Sequence, residues 1–232
     1  MNDEKALEIV NKIFKNVFSV ENPFSLDDLL NKFAFDVKLP QPVRDATTGE
    51  LTYADSIHMK SYITSKNAET RDATRGWMLE KRELKTLDDL LALWDTINLT
   101  TTEREMNSLN ILKSDTIYGC ENIYRSTSCS NSKNLIFCDS CGSSEFLLAS
   151  QRSGSSNFCI RCDDSKDCSN SYNVIYSNKV INSFFIQDCF NLYECMFCSH
   201  IASKRFCIAN MEFSEPEYFA IKKSITDWIL NS

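Results

Sequence analysis

The spacing of the cysteines constrains this chain more than any other feature. All eleven cysteines lie a multiple of three residues away from Ser108. If cysteines fell at random among three phases, this would happen roughly once in sixty thousand chains, so the spacing indicates an internal repeat. Between Ser108 and Asn210, the other residues of this phase are Ser, Ile, Leu or Val, except Lys204 and Asn210 itself.

A period of three matches neither the 3.6 residues of an α-helix turn nor the alternation of a flat strand. It requires a backbone that turns one side chain inward and two outward, again and again. A β-solenoid of very short strands can do this, and so can a bundle of polyproline II helices. Close packing of polyproline II helices favours Gly, and the chain has only five Gly and four Pro. The pattern therefore favours a β-solenoid, with coil length and handedness left open.

The residue types at the repeated position suit a narrow interior. Free Cys behaves as a small buried hydrophobe, and Ser can turn its hydroxyl onto neighbouring backbone groups. The branched aliphatic residues of this phase change register between about Ser150 and Cys168. That change predicts a bend, a loop or a different coil shape in the middle of the tract.

The segments outside the repeat carry helix signals. Residues 3 to 20 have the apolar stripe of an amphipathic helix. Ser25 with Asp28, Thr86 with Asp89 and Ser214 with Glu217 have the spacing of capping boxes, which open helices. The sequence 77–79, Trp-Met-Leu, is expected to be buried.

These signals predict an α+β fold in three parts. Residues 1–105 form a mainly helical N-terminal region, 106–212 a Cys/Ser triplet-repeat β-solenoid, and 213–232 a C-terminal capping helix. Caps are expected because the ends of a solenoid expose unpaired strand edges and apolar interior.

Composition limits the functional classes. The net charge of −7 argues against a broad nucleic-acid surface. The start Met1-Asn2-Asp3-Glu4 has neither a basic nor an apolar region, so we expect no signal peptide, and no apolar run is long enough to span a bilayer. The expected location is a virion or the cytoplasm of the producing cell, where a reducing compartment keeps most thiols free.

The strongest competing motif is a pair of CxxC sequences. Cys138 and Cys141, followed by Cys159 and Cys162, match the ligand spacing of a zinc ribbon. Each pair is also just two adjacent positions of the triplet repeat, and Cys195-Met-Phe-Cys198 shows the repeat producing the same spacing. We therefore expect no cofactor, with zinc held by those four thiolates as the alternative.

Catalytic readings have little support in the sequence. A thiol oxidoreductase places its CxxC at a helix N-terminus, which lowers a thiol pKa, and no pair here has that context. The two histidines are His58 and His200. The phase of His200 points it outward while Cys198 points inward, so a Cys/His pair is not expected to form. The sequence predicts no catalytic residues and a protein that is not an enzyme.

The segment from Arg205 to Tyr218, which reads RFCIANMEFSEPEY, follows the Cys/Ser/Asn-rich tract and carries a resemblance. It resembles a group of cysteine-rich triplet-repeat proteins in tailed-bacteriophage and candidate-phylum bacterial genomes. The resemblance covers roughly the C-terminal half and brings no activity or catalytic residues with it. It implies a phage-type structural protein.

The functional expectation is a non-enzymatic structural or interaction protein. Its most concrete form is a bacteriophage virion component, associated with the capsid, neck or tail, that uses a rigid solenoid to bind other protein subunits in a multi-subunit assembly. A row of outward aromatic residues is expected to be covered by the N-terminal region or exposed to a partner: Phe184, Phe185, Phe190, Tyr193 and Phe197. The alternative is a zinc-ribbon accessory or regulatory protein that binds nucleic acid. No membrane partner is expected.

Overall fold

The computed structural model describes residues 1–71 and 73–231 and shows an α+β chain. A β-solenoid of about nine turns forms its centre, with helices in the N-terminal region and one helix at the C-terminus. The fold class predicted from the three-residue period is confirmed.

The N-terminal region combines helices with two small sheets. Its elements are α1 (Asp3–Val17), α2 (Leu26–Phe33), β1 (Gln41–Arg44), β2 (Leu51–Ala54), β3 (Tyr62–Thr64), α3 (Ser65–Glu69), α4 (Leu87–Ile97) and β4 (Thr100–Thr102). Strands β1 and β2 pair antiparallel, whereas β3 and β4 pair parallel. Ser25 with Asp28 and Thr86 with Asp89 form the predicted capping boxes of α2 and α4.

The repeat forms short strands that pair in parallel with the coils on either side. They are β5 (Glu105–Met106), β6 (Leu109–Leu112), β7 (Asp115–Tyr118), β8 (Glu121–Tyr124), β9 (Thr127–Ser130), β10 (Lys133–Ile136), β11 (Glu145–Leu148), β12 (Asn157–Asp163), β13 (Ser169–Ile175), β14 (Asn178–Ile181), β15 (Phe184–Gln187), β16 (Phe190–Tyr193), β17 (Met196–Ser199), β18 (Ala202–Arg205), β19 (Cys207–Ile208) and β20 (Met211–Glu212), followed by α5 (Glu215–Asn231).

Each coil of the solenoid contains twelve residues. Leu135 lies opposite Ile123 in one neighbouring coil and opposite Leu147 in the other, twelve residues away in each direction. With a period of three, a coil has four inward positions. We number these one to four, beginning at Ser108, so Ile111 occupies position two.

The backbone turns because every third residue adopts a left-handed conformation. From Asn107 to Ala209, the residue just before each inward residue has φ between 45° and 64°. A non-glycine residue in this region costs roughly 1 kcal/mol, and Asn tolerates it best. Hydrogen bonds between coils stabilise these turns; the amide of Asn131, for example, donates to the Tyr118 carbonyl at 2.9 Å.

Inward serines satisfy the backbone at the corners between strands. Ser126 Oγ accepts the amide of Cys138 at 2.9 Å and donates to the Tyr124 carbonyl at 2.9 Å. Ser156 Oγ accepts the amide of Cys168 at 3.2 Å and donates to the Gly154 carbonyl at 3.0 Å. A buried amide without a partner is costly, so one hydroxyl here replaces a strand hydrogen bond and completes a corner.

The strands change sides in the middle of the solenoid. Early strands carry aliphatic residues at position two, such as Leu135 in β10. Late strands carry them at positions one and three, such as Leu192 in β16 and Ile186 in β15. Between them, β12 and β13 are seven residues long and span positions two and three. The register change in the sequence is therefore a change of strand sides, and the twelve-residue pairing continues through it without an inserted loop.

One outward row of the solenoid is apolar and covered by helices. We call it the flank row: Leu112, Tyr124, Ile136, Leu148, Ile160, Tyr172, Phe184, Met196 and Ile208, each paired with the next across adjacent coils. Helix α1 lies across β10 to β13 and buries Ile9, Ile13 and Phe14 against this row. Phe33 of α2 joins the same cluster. The N-terminal helices thus share a core with the side of the solenoid.

Other elements contact the first and the last coils. Asp115 in the first coils is 1% exposed and accepts hydrogen bonds from Arg104 and from the Asp55 amide. At the other end, β20 turns back antiparallel on β19. Helix α5 packs along the last coils, where Tyr218 contacts Phe206 at a ring distance of 5.5 Å.

Among the described residues, none of the helices combines the length and apolar character needed to cross a membrane.

Candidate functional site

All eleven cysteines line the solenoid interior. Each is buried, at 4% exposure or less, and each carries a free thiol. They pack with the inward aliphatic residues in one cluster that is separate from the core of the flank row. The prediction that every cysteine points inward is confirmed.

The four thiols of the zinc alternative do not meet. Cys138 and Cys141 lie in one coil, and Cys159 and Cys162 lie two coils further on, with the coil of Leu147 between them. Two steps of strand spacing separate the pairs by roughly 10 Å, whereas a zinc ion holds its thiolates at about 2.3 Å. In the described ranges 1–71 and 73–231, no group of three or more His, Cys, Asp or Glu side chains is placed to hold a metal ion. This geometry gives the zinc ribbon no support.

Burial and hydrogen bonds between neighbouring thiols raise the pKa of most of these cysteines. Loss of solvation raises the pKa of Cys120 and of Cys189. Within the third CxxC pair, a hydrogen bond from Cys195 lowers the pKa of Cys198 to about 7. Cys198 is nevertheless 1% exposed and lies in β17, without the helix N-terminus typical of redox motifs. A substrate disulfide has no path to its sulfur.

The outward histidine has neighbours that the sequence analysis did not foresee. His200 Nδ1 lies 2.6 Å from Ser199 Oγ, and His200 Nε2 lies 3.8 Å from an Asp188 oxygen. The three residue types match a hydrolytic triad, but the imidazole side chain is 76% exposed and the contact with the carboxylate is too long for a hydrogen bond. A reactive serine also needs a sheltered cleft with oxyanion donors, and five of the best-formed cavities among the described residues have linings without Ser199 or His200.

The outward aromatic row divides into a covered and an exposed part. Phe184 is fully buried, with its ring 5.6 Å from that of Phe18 after α1. Phe185 is partly buried and stacks on Phe197 at 4.5 Å. Phe190, Tyr193 and Phe197 are 37–48% exposed. One part of this row is therefore covered, as at Phe184 beside Phe18, and the other part is exposed on the surface of the described chain.

Apolar side chains are also exposed on strands β14 and β16 of the last coils. We call Ile181, Phe190 and Tyr193 the corner patch. Ile181 and Tyr193 lie opposite each other on adjacent strands. Lys179 Nζ lies 5.5 Å from the centre of the Phe190 ring, and the Arg205 guanidinium lies 4.7 Å from that of Tyr193. Such cation–π contacts leave an aromatic surface with a positive rim.

A second exposed apolar surface lies on α4. We call Leu87, Leu90, Leu91, Trp94 and Ile97 the α4 face. These side chains are 39–68% exposed, and no residue of this fully described helix is buried. Of the three residues expected to be buried at 77–79, Met78 and Leu79 are 75% and 51% exposed, so the prediction is wrong for them, and Trp77 is partly buried. The sequence indicated an amphipathic helix, but an apolar stripe alone cannot show whether its partner belongs to the same chain.

No protein-family model matches this chain, and comparisons with curated proteins and with solved structures return no match. Function must therefore be argued from the surfaces and the interior described above.

Proposed function

We propose that this protein is a non-enzymatic structural and interaction protein, and that it serves as a bacteriophage virion component associated with the capsid, neck or tail. In this role the solenoid is a rigid support, and exposed apolar surfaces bind other protein subunits of a multi-subunit assembly. The observation that carries the proposal is the α4 face, an apolar helix stripe that nothing in the described chain covers.

The construction of the solenoid supports a scaffold role. Consecutive coils are joined by backbone ladders on two sides and by serine hydrogen bonds at corners, as at Ser126 and Ser156. Repeats of this kind hold surface residues at fixed spacing along one axis. The corner patch and the α4 face then present apolar contacts from a body that does not need to rearrange on binding.

The chemistry of the reactive residue types also favours binding over catalysis. The thiols are sealed inside the coils, and the Ser199–His200–Asp188 group is open to water. Neither arrangement combines a nucleophile with a sheltered substrate position. The virion assignment itself depends on the sequence resemblance to phage-type triplet-repeat proteins.

The test is mass spectrometry of purified particles from producing cells. We expect the protein to be present in a fixed ratio to the major structural subunit and to remain after high-salt washing, since apolar contacts do not weaken with ionic strength. A matched preparation from cells that express the chain without particles controls for co-purification. Absence from washed particles would overturn the virion assignment.

A further inference from the structure

The α4 face has the apolar stripe of a helix–helix interface, but its side chains are exposed rather than packed against the described chain. Its five apolar residues recur at spacings of three and four, which places them on one side of the helix. Leu87 is 68% exposed, and Trp94 is 52% exposed. The exposed Met78, Leu79 and Leu84, which precede the helix, add further apolar surface.

The chain specifies this helix by local signals. Thr86 Oγ1 accepts the Asp89 amide at 3.2 Å, and the Asp89 carboxylate accepts the Thr86 amide at 3.0 Å. An eleven-residue helix is marginal in water on such signals alone, because most helix stability in proteins comes from packing an apolar stripe. The expected state of α4 in solution is therefore one in which its face is covered.

The charges around α4 select the occupant. Residues 80–85 contain three basic residues, Lys81, Arg82 and Lys85, and two acidic ones, which gives a net charge of +1. Helix α4 contains Asp88, Asp89 and Asp95 without a basic residue, which gives −3. A second copy packed antiparallel would place the basic lead-in of one copy near the C-terminal end of the other α4, where the helix dipole is negative and Asp95 lies. A parallel copy would place like charges together.

We propose that α4 is the dimerisation element of this protein, and that its apolar face packs antiparallel against the α4 face of a second copy. The contact is isologous, as in most two-fold dimers, so each side chain is used twice. The α4 face together with Met78, Leu79 and Leu84 of both copies offers apolar area on the order of 1,000 Å², near the lower limit for a stable interface. This inference rests on the proposed function and names one of its partners, a second copy of the chain.

The primary experiment measures the mass of the purified full chain in solution by light scattering or sedimentation. We expect a dimer in the micromolar range that dissociates on dilution. The double variant Leu90→Glu with Trp94→Glu should weaken dimerisation by about 100-fold or more, since it buries two charges in the contact. Both side chains are half-exposed in the monomer and lie outside the solenoid core, so the solenoid should stay folded, with its melting temperature lowered only by the amount that loss of the dimer explains.

The matched control is Phe190→Glu in the corner patch. Phe190 has a similar exposure, 48%, but lies on the solenoid rather than on α4. This variant should keep the dimer. A wild-type chain that remains monomeric up to about 100 µM would overturn the proposal, and so would a dimer that survives both α4 glutamates.

Cysteine trapping tests the antiparallel direction. In an antiparallel pair, Leu87 of one copy lies near the position of Ile97 in the other. A Leu87→Cys chain mixed with an Ile97→Cys chain should form a disulfide-linked dimer under mild oxidation, whereas neither chain should do so alone. The native thiols are buried and do not compete. Cross-links within each single variant would indicate a parallel pair and overturn the charge argument.

The result also separates this inference from the proposed function. A monomeric chain that is still found in washed particles would refute only the α4 dimer. A dimer that is absent from particles would refute only the virion assignment.

Discussion

The solenoid interior and the flank core lie on opposite sides of the same strands, yet they are packed by different rules. The interior holds Cys, Ser and branched aliphatic residues, and its serine hydroxyls complete the backbone hydrogen bonding. The flank core holds large aromatic and aliphatic side chains contributed by α1, α2 and α5, such as Phe14, Phe33 and Tyr218. A coil of twelve residues leaves no room for large side chains inside it. The large side chains therefore lie between the helices and the side of the solenoid, where the distance between the packed elements can vary.

The largest expected effect is the loss of stability when a side chain is removed from the flank core, the cluster between the helices and the flank row. Phe14 is fully buried, and its ring lies 5.4–6.1 Å from those of Phe18, Phe24 and Phe33. We expect Phe14→Ala to lower the free energy of unfolding by about 3–5 kcal/mol, measured by urea denaturation. The exposed Phe190→Ala is the control and should change it by well under 1 kcal/mol. An equal loss in both variants would show that α1 does not stabilise the solenoid.

The next effect is a pH dependence of the free energy of unfolding, which should arise from the interior thiols and not from the flank core. Burial raises the pKa of Cys120 and of Cys189 above the ordinary value of a cysteine thiol. Their contribution is fully present below the unfolded-state pKa and is lost as pH rises toward the folded-state pKa, because only the unfolded chain releases these protons. Each such thiol should cost about 1.4 kcal/mol of stability per pH unit in that window.

Urea midpoints measured from pH 7 to 10 test this dependence. The Cys120→Ser/Cys189→Ser double variant should show a shallower alkaline decline than the wild type. Identical slopes for the two proteins would contradict the assignment of the decline to interior thiols.

A smaller effect concerns the serine corners. Ser156→Ala removes the acceptor of the buried Cys168 amide, and we expect a loss of about 1–3 kcal/mol of stability by chemical denaturation. Ser169→Ala, at an outward position in β13, is the control and should be close to neutral. If the two variants were equally stable, the inward serines would contribute only packing volume, and their hydrogen bonds would not stabilise the coils.

The smallest effect concerns one left-handed turn. Gly119 has φ +64°, and an added Cβ would lie 2.9 Å from Asn131 Oδ1, an atom at the end of a flexible side chain. We expect Gly119→Ala to cost about 1 kcal/mol, since alanine already occupies such a turn at Ala149. Thermal unfolding of the two proteins measures it; a loss several times larger would show that Asn131 cannot move aside.

The sequence predicted the solenoid because the inward phase is unbroken from Ser108 onward. It did not predict the coil length, since any multiple of three residues keeps the cysteines inward. The flank row contained that information: an apolar outward residue recurs every twelve residues, as at Ile136, Leu148 and Ile160. Such a row marks a face that must be covered, and its spacing equals one coil.

The exposure of the α4 face could not be predicted. Its stripe, as at Leu90 and Trp94, reads like that of α1, whose Ile9 and Phe14 are buried. Amphipathic periodicity records that a partner exists but not which chain supplies it. The small sheets of β1 to β4 were also difficult to predict, since their strands are three or four residues long and pair across loops.

The twelve-residue coil determines which changes of length this chain can accept. Three extra residues would keep every later thiol inward but rotate the following coils by a quarter turn, which would swing Phe184 and Met196 out from under the helices. Twelve extra residues would return the later coils to the same rotational register and lengthen the rod by about 4.8 Å, the spacing of adjacent strands. Related chains with rods of different length should therefore differ by whole coils of twelve residues, so that rod length changes in steps of one strand spacing.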